Sequence, residues 1–117
     1  MTLVDTSVWV DHFRKANPVL IELLTKGNVV IHPFSTGELA CGNLKNRSEI
    51  LHLLSELPQA MIAEQSEVLS FIESNRLYGT GIGWIDAHLV ASALLMNLNM
   101  LTYDKVLTGA VSKLRLG

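Results

Sequence analysis

Cysteine, proline and aromatic side chains are all scarce in this chain: one Cys, three Pro and 6% Phe, Trp and Tyr among 117 residues. Cys41 alone cannot close an internal disulfide, so the fold needs none and suits a reducing cytoplasm. His12, His32, His52 and His88 fall at no ligand spacing, which removes a Cys/His zinc framework. A surplus of positive charge is missing too. With 9 Lys+Arg against 11 Asp+Glu the net charge is −2, which argues against holding nucleic acid by bulk charge alone. There is no long apolar run. The longest stretch free of Asp, Glu, Lys and Arg, Ala87 to Tyr103, carries His88, Ser92, Asn97 and Asn99, which a lipid-facing helix would resist. The first residues reach Asp5 without a basic residue, so no signal peptide and no membrane association are expected. Repeats, linkers and low-complexity tracts are absent.

What is present is apolar: 49% of residues are hydrophobic and the mean hydropathy is +0.32. That composition excludes disorder, and the length predicts one domain over residues 1–117. Leu3-Val4 and Val29-Val30-Ile31 read as short strands, the second apolar enough to be buried on both faces. Met100-Leu101-Thr102 reads as another, Ala60 to Ala63 as a weaker one, and Lys113 to Leu116 as a last edge strand. Helices are expected over Ser7 to Lys15, from Pro18 to Gly27, from Ser35 past Cys41, over Asn46 to Leu57, over Ser66 to Leu77 and over Asp86 to Met96. Ser35 and Glu38 have the spacing of a capping box. Strands alternating with helices predict an α/β three-layer sandwich with a short parallel sheet of four to five strands.

Three of the four aspartates take similar places. Asp5 follows the first strand, Asp104 follows the Met100 strand, and Asp86 opens a buried helix after the Gly79–Gly83 loop. Glu38 lies in the first turn after the Val29 strand. In an open α/β sheet such positions gather at the crevice beyond the strand ends, where ligands bind. Each acid also has a local reading: Asp86 and Glu38 as helix-start residues, Asp104 as the start of a C-terminal turn. Four carboxylates in one pocket need protons or cations to offset their repulsion. Hard oxygen donors without Cys or His select Mg²⁺ or Mn²⁺, ions suited to phosphodiester hydrolysis.

The motifs themselves carry a resemblance. Val4-Asp5-Thr6-Ser7-Val8-Trp9-Val10-Asp11 resembles the opening of PIN-domain proteins, in particular the VapC-type toxins of bacterial toxin–antitoxin pairs. Ser35-Thr36-Gly37-Glu38-Leu39, Gly83-Trp84-Ile85-Asp86-Ala87-His88 and Leu101-Thr102-Tyr103-Asp104-Lys105 are similar to that family's later acidic motifs, in order over nearly the whole chain. The resemblance implies a Mg²⁺- or Mn²⁺-dependent endoribonuclease, dimeric, inhibited by a cognate antitoxin. It implies Asp5, Glu38, Asp86 and Asp104 as the catalytic and metal-binding acids, Asp5 and Asp86 as direct ligands. Ser7 and Thr102 would orient carboxylates or water by hydrogen bonding. Tyr103 departs from the pattern, standing where many relatives have a basic residue and offering a base a stacking surface.

Arg14, Lys15, Lys45, Arg47 and Lys105 are the candidate RNA contacts. The apolar faces at Val19–Leu24 and Ile50–Leu57 are candidate docking surfaces for a second copy or an antitoxin. Gly79-x-Gly81-x-Gly83 follows a helix and lacks the dinucleotide-binding spacing, so it reads as a plain connection. Cys41, Trp9 and Trp84 read as core residues, and His32, just past the second strand, as an ordinary polar loop residue, an approach to the pocket being the alternative. The alternatives are a non-catalytic PIN-like binding module, which would lack or replace acids, and a phospho-accepting receiver domain, which needs an adjacent acidic pair that Asp5-Thr6 is not.

Overall fold

The computed structural model describes residues 1–117. In chain order it holds β1 (Thr2–Val4), α1 (Thr6–Arg14), α2 (Pro18–Thr25), β2 (Val29–Val30), α3 (Pro33–Cys41), α4 (Arg47–Ser55), α5 (Gln65–Ser74), α6 (Trp84–Leu95), β3 (Asn99–Leu101) and α7 (Lys105–Leu114). The sheet is parallel with β1 in the centre, in the order β2-β1-β3. Side-chain alternation along these strands divides the core in two. Leu3, Val30 and Met100 face α6 and α7, while Val4, Val29 and Ile31 face Val8 and Trp9 of α1, Leu20 of α2, Leu39 of α3 and Leu54 of α4. The chain is α/β with helices on both faces of the sheet. No helix is long and apolar enough to cross a membrane.

Three strands replace the expected four to five. Ala60–Ala63 does not form a strand: Ile31 and Gln59 make a single parallel bridge, carried by Ile31 N–H to the Pro58 carbonyl and Ala60 N–H to the Ile31 carbonyl. Beyond that bridge Met61 and Ile62 turn outward. Lys113–Leu116 is not an edge strand either. Lys113 and Leu114 end α7, Arg115 adopts a left-handed conformation that stops it, and Leu116 then accepts a hydrogen bond from Met100 N–H. The apolar residues taken for strand are the tail of a helix with Leu107, Ala110, Val111 and Leu114 at helical spacing, held at its start by Asp104.

Helix starts also shift. The Ser35/Glu38 capping box is not made, because α3 begins at Pro33 with buried His32 as its cap, His32 Nδ1 accepting from Phe34 N–H at 2.9 Å. The reciprocal box forms two helices later, between Glu64 and Glu67 at the start of α5. α6 begins at Trp84, before Asp86. Gly79 and Gly81 take φ of 74° and 91° in the connection that leads into it, a conformation L side chains rarely adopt. Cys41 is exposed and not a core residue, since it lies on the last turn of α3 where the helix leaves the sheet. Trp9 is buried as expected, but Trp84 is 42% exposed, at the open end of α6.

Candidate active site

Asp5 stands at the junction of β1 and α1 and is 4% exposed. Its backbone N–H donates to the Leu101 carbonyl at 2.9 Å, tying it to the end of β3, and its carboxylate caps α1. Every hydrogen bond to that carboxylate falls on one oxygen. Oδ2 accepts from Ser7 Oγ at 2.7 Å, Thr102 Oγ1 at 2.9 Å and Ser7 N–H at 3.3 Å. Each hydroxyl has a single proton, so donation to Asp5 leaves it only accepting elsewhere. Ser7 Oγ accepts from Tyr103 N–H at 3.0 Å and Thr102 Oγ1 from Asp104 N–H at 3.1 Å. Two parallel relays thus bind the loop after β3 to Asp5 and fix how Asp104 enters the site.

The same division of labour recurs at the other acids. Asp104 caps α7 with Oδ1, which accepts from Leu107 N–H at 3.0 Å. Glu38 is anchored from α1: Thr6 Oγ1 donates to its Oε1 at 2.7 Å. In each of the three, one oxygen is committed to the scaffold and the other stays available. Asp86 differs. Sitting at the third position of α6, it receives no stabilising hydrogen bond; burial pushes its carboxyl up to about 6, and the charges of Asp5, Asp104 and Glu38 push the same way. The four acids, far apart in sequence, therefore share one electrostatic field. They do not form a closed cage: no three His, Cys, Asp or Glu side chains stand close enough to hold a metal ion. Like charges resist closer approach without a counter-charge.

Of the candidate cations, Arg14 lines a cavity of about 320 Å³ together with Thr6 and Glu38. Arg14 and Lys45 line an adjoining cavity of about 490 Å³, which shares Phe13, Asn43 and Leu44 with the first. Together they form a groove leading away from Glu38. Arg47 is exposed and donates through Nη1 to the Gly42 carbonyl at 3.3 Å. Lys105 is not in the groove; it lines a separate cavity of about 280 Å³ beside α7 with Thr80 and Lys113. Lys15 is exposed just past α1 and lines neither wall.

His32 is fully buried, not a polar loop residue at the pocket; burial first, and His88 second, push its pKa down to about 4. A neutral ring is what its cap requires, because Nδ1 must accept. Two residues with site roles escaped the sequence reading. Thr6, inside the first motif, holds Glu38. Asn17, legible as a helix cap by the Pro18 that follows it, donates through Nδ2 to Asp11 Oδ2 at 2.9 Å and to the Tyr103 hydroxyl oxygen at 2.7 Å.

Residues 2–110 match the PIN domain family. The chain is similar to the proteins named "Ribonuclease VapC32" from two strains of Mycobacterium tuberculosis, CDC 1551 / Oshkosh and ATCC 25618 / H37Rv. Each is 41% identical over 114 residues, covering 97% of this chain and 92% of the relative. On both grounds, and with Asp5 and Asp104 just past strand ends, Asp86 in the first turn of α6 and Glu38 further along α3, in its second turn rather than its first, the chain belongs to the PIN domain family.

Proposed function

We propose that residues 1–117 form one nuclease unit, a Mg²⁺- or Mn²⁺-dependent endoribonuclease that acts in the cytoplasm as the toxin of a toxin–antitoxin pair. The observation that carries this reading is the pairing of committed and free oxygens: Asp5, Glu38 and Asp104 are each fixed through one oxygen. Their free oxygens, with Asp86, are a hard donor set for a small divalent cation. The names of the two relatives support ribonuclease activity.

In this reading Asp5 and Asp86 are direct ligands, while Glu38 and Asp104 complete the shell or position the attacking water. Ser7 and Thr102 hold the Asp5 carboxylate in one orientation, so its free oxygen does not rotate away. A bound divalent ion would supply a water of lowered pKa and charge compensation at the leaving oxygen. Arg14 and Lys45 contact backbone phosphates along the groove, Arg47 adds a contact at its margin, and Lys105 contacts phosphate separately, from the cavity beside α7. Val19, Ile21 and Leu53 are exposed on α2 and α4, which supports docking of an antitoxin segment there. Exposed Leu69, Leu94 and Leu95 on α5 and α6 support a homodimer.

A second reading, a binding module that does not cut, is favoured by one observation: the acids are not drawn into a closed cage. Incubating purified protein with total cellular RNA decides between them. Discrete fragments that require Mg²⁺ or Mn²⁺, vanish with excess chelator and are lost in Asp5→Asn are expected. Retention of RNA without fragments in any of these metals would favour the binding module.

A further inference from the structure

Asn17 caps α2, and a cap needs only an acceptor: Oδ1 takes Leu20 N–H at 3.0 Å. Ser or Asp would serve that purpose equally well. What Asn adds is an amide nitrogen, and both of its hydrogens are spent. Nδ2 donates to Asp11 Oδ2 at 2.9 Å and to the Tyr103 hydroxyl oxygen at 2.7 Å. The backbone is committed as well. Asn17 N–H donates to His12 Nδ1 at 3.0 Å, and its carbonyl accepts from Ile21 N–H at 3.0 Å. The residue is 5% exposed, and its extended backbone suits the Pro18 that follows. A buried amide with every hydrogen paired holds one orientation, because turning it would leave polar groups without partners.

Tyr103 is the far end of this clasp. It lies in the short connection from β3 to α7, between Thr102 and Asp104. Its hydroxyl oxygen is held by Asn17, and its backbone N–H donates to Ser7 Oγ at 3.0 Å. Ser7 Oγ, accepting there, turns its one proton to Asp5 Oδ2 at 2.7 Å. Hydrogen bonds and the Tyr103 side chain thus connect the α1–α2 turn to the carboxylate of Asp5. We propose that Asn17 is a positioning residue for RNA cleavage: by pinning Tyr103 it holds the loop after β3 against α1, keeping the Ser7 hydroxyl on Asp5 and fixing where the chain enters Asp104. The inference rests on the ribonuclease reading. Without the Asn17 amide the half-exposed Tyr103 side chain loses its anchor, the loop is free to lift, and Ser7 loses the donor that directs its proton. The effect belongs to the chemical step and not to RNA capture, since Asn17 is buried and has no free polar hydrogen to offer RNA.

The test compares the full-length wild type with Tyr103→Phe, Asn17→Ser and the double variant, on total cellular RNA and then on an RNA the wild type cuts. Tyr103→Phe keeps the ring and removes only the oxygen that Asn17 holds, so its melt should stay close to wild type. Asn17→Ser keeps a cap acceptor but loses the amide, and its kinetics are read well below its melting temperature. Each single variant should lower kcat in Mg²⁺ by about 2- to 10-fold, the worth of one hydrogen bond. KM, and RNA affinity measured in chelator, should not change. Because both substitutions break one link, the double variant should be no slower than the slower single. Tyr103→Phe cutting at the wild-type rate overturns the proposal, whatever Asn17→Ser does. So do losses that multiply in the double variant. A loss confined to KM and affinity overturns it too, making the Tyr103 hydroxyl an RNA contact. A wild type that cuts no RNA in Mg²⁺ or Mn²⁺ overturns the ribonuclease reading and this inference with it.

Discussion

Asp86→Asn should abolish cleavage and at the same time stabilise the metal-free protein. Asp86 is part-buried beside three other carboxylates, and its carboxyl is raised from 3.8 to about 6. Such an acid binds its proton more tightly folded than unfolded, so folding is penalised wherever the group must be ionised. The penalty is complete above about pH 6 and fades as pH falls toward 3.8. Taken at face value it is about 3 kcal/mol; water reaches this carboxyl and screens it, so about 1–2 kcal/mol is the figure to expect. For a chain of this length that is a rise of roughly 3–10 °C in Tm. The assay is a thermal melt in chelator at pH 7.5, repeated in steps down to pH 4, with Glu73→Gln on exposed α5 as control. The gain over wild type should shrink steadily below pH 6. Added Mg²⁺ should raise the wild-type Tm and move the variant less, because a ligand that binds only the folded state stabilises in proportion to its affinity. A variant no more stable than wild type in chelator, or a gain that does not fade with falling pH, would refute the claim that burial and the three neighbouring acids together raise the Asp86 carboxyl.

Ser7→Ala and Thr102→Ala each remove a donor from Asp5 Oδ2 and should cut kcat by about 10- to 100-fold. Because both hydroxyls serve one oxygen, the double variant should lose less than the product of the two, measured by steady-state cleavage. His32, whose pKa falls to about 4 on folding, stays neutral in the fold while the unfolded chain takes up its proton below about 6.5. Stability is therefore lost as pH falls from 6.5 to 4, by about 2–3 kcal/mol. His32→Asn keeps a cap acceptor and should flatten this part of the urea-midpoint profile relative to wild type. Arg14→Ala and Lys45→Ala should weaken RNA binding to a similar degree across sequences, each lowering the salt slope by about one; an unchanged slope would remove the groove from the RNA path.

The parts of this fold legible in the chain were those whose cause is local. Pro18 and Gly27 bracket α2 because one fixes the entry and the other takes φ of 66° after the exit. The apolar Val29–Ile31 run is buried as expected, since nothing polar in it resists two helical layers. What failed was settled by distant partners. Ala60–Ala63 has the composition of a strand, but its one bridge to Ile31 leaves the following residues no neighbour to pair with. Ser35 and Glu38 have capping-box spacing, yet Thr6 from α1 takes the Glu38 carboxylate and His32 caps the helix. Trp84 has a core residue's chemistry, and only the placement of α6's first turn shows it to be exposed. α7 is the exception, a helix with its pattern in plain view, hidden by the low propensity of Gly109 at its centre.

A helix-cap reading and a functional reading of an acid are usually set against each other, and in this chain they are the same fact. Asp5 caps α1 and Asp104 caps α7. A cap engages one carboxylate oxygen with a backbone N–H at a fixed distance, which orients the group at the positive end of a helix. At Asp5 the Ser7 and Thr102 hydroxyls add to the same hold on that oxygen. Glu38 reaches the same condition through Thr6. Asp86 is held by no donor, so it is the acid whose charge the fold tolerates least and a cation would compensate most. Local rules of helix termination thus account for the hold on two of the four carboxylates, a tertiary hydrogen bond from Thr6 accounts for the third, and the uncompensated cost at the fourth is what points from structure to chemistry.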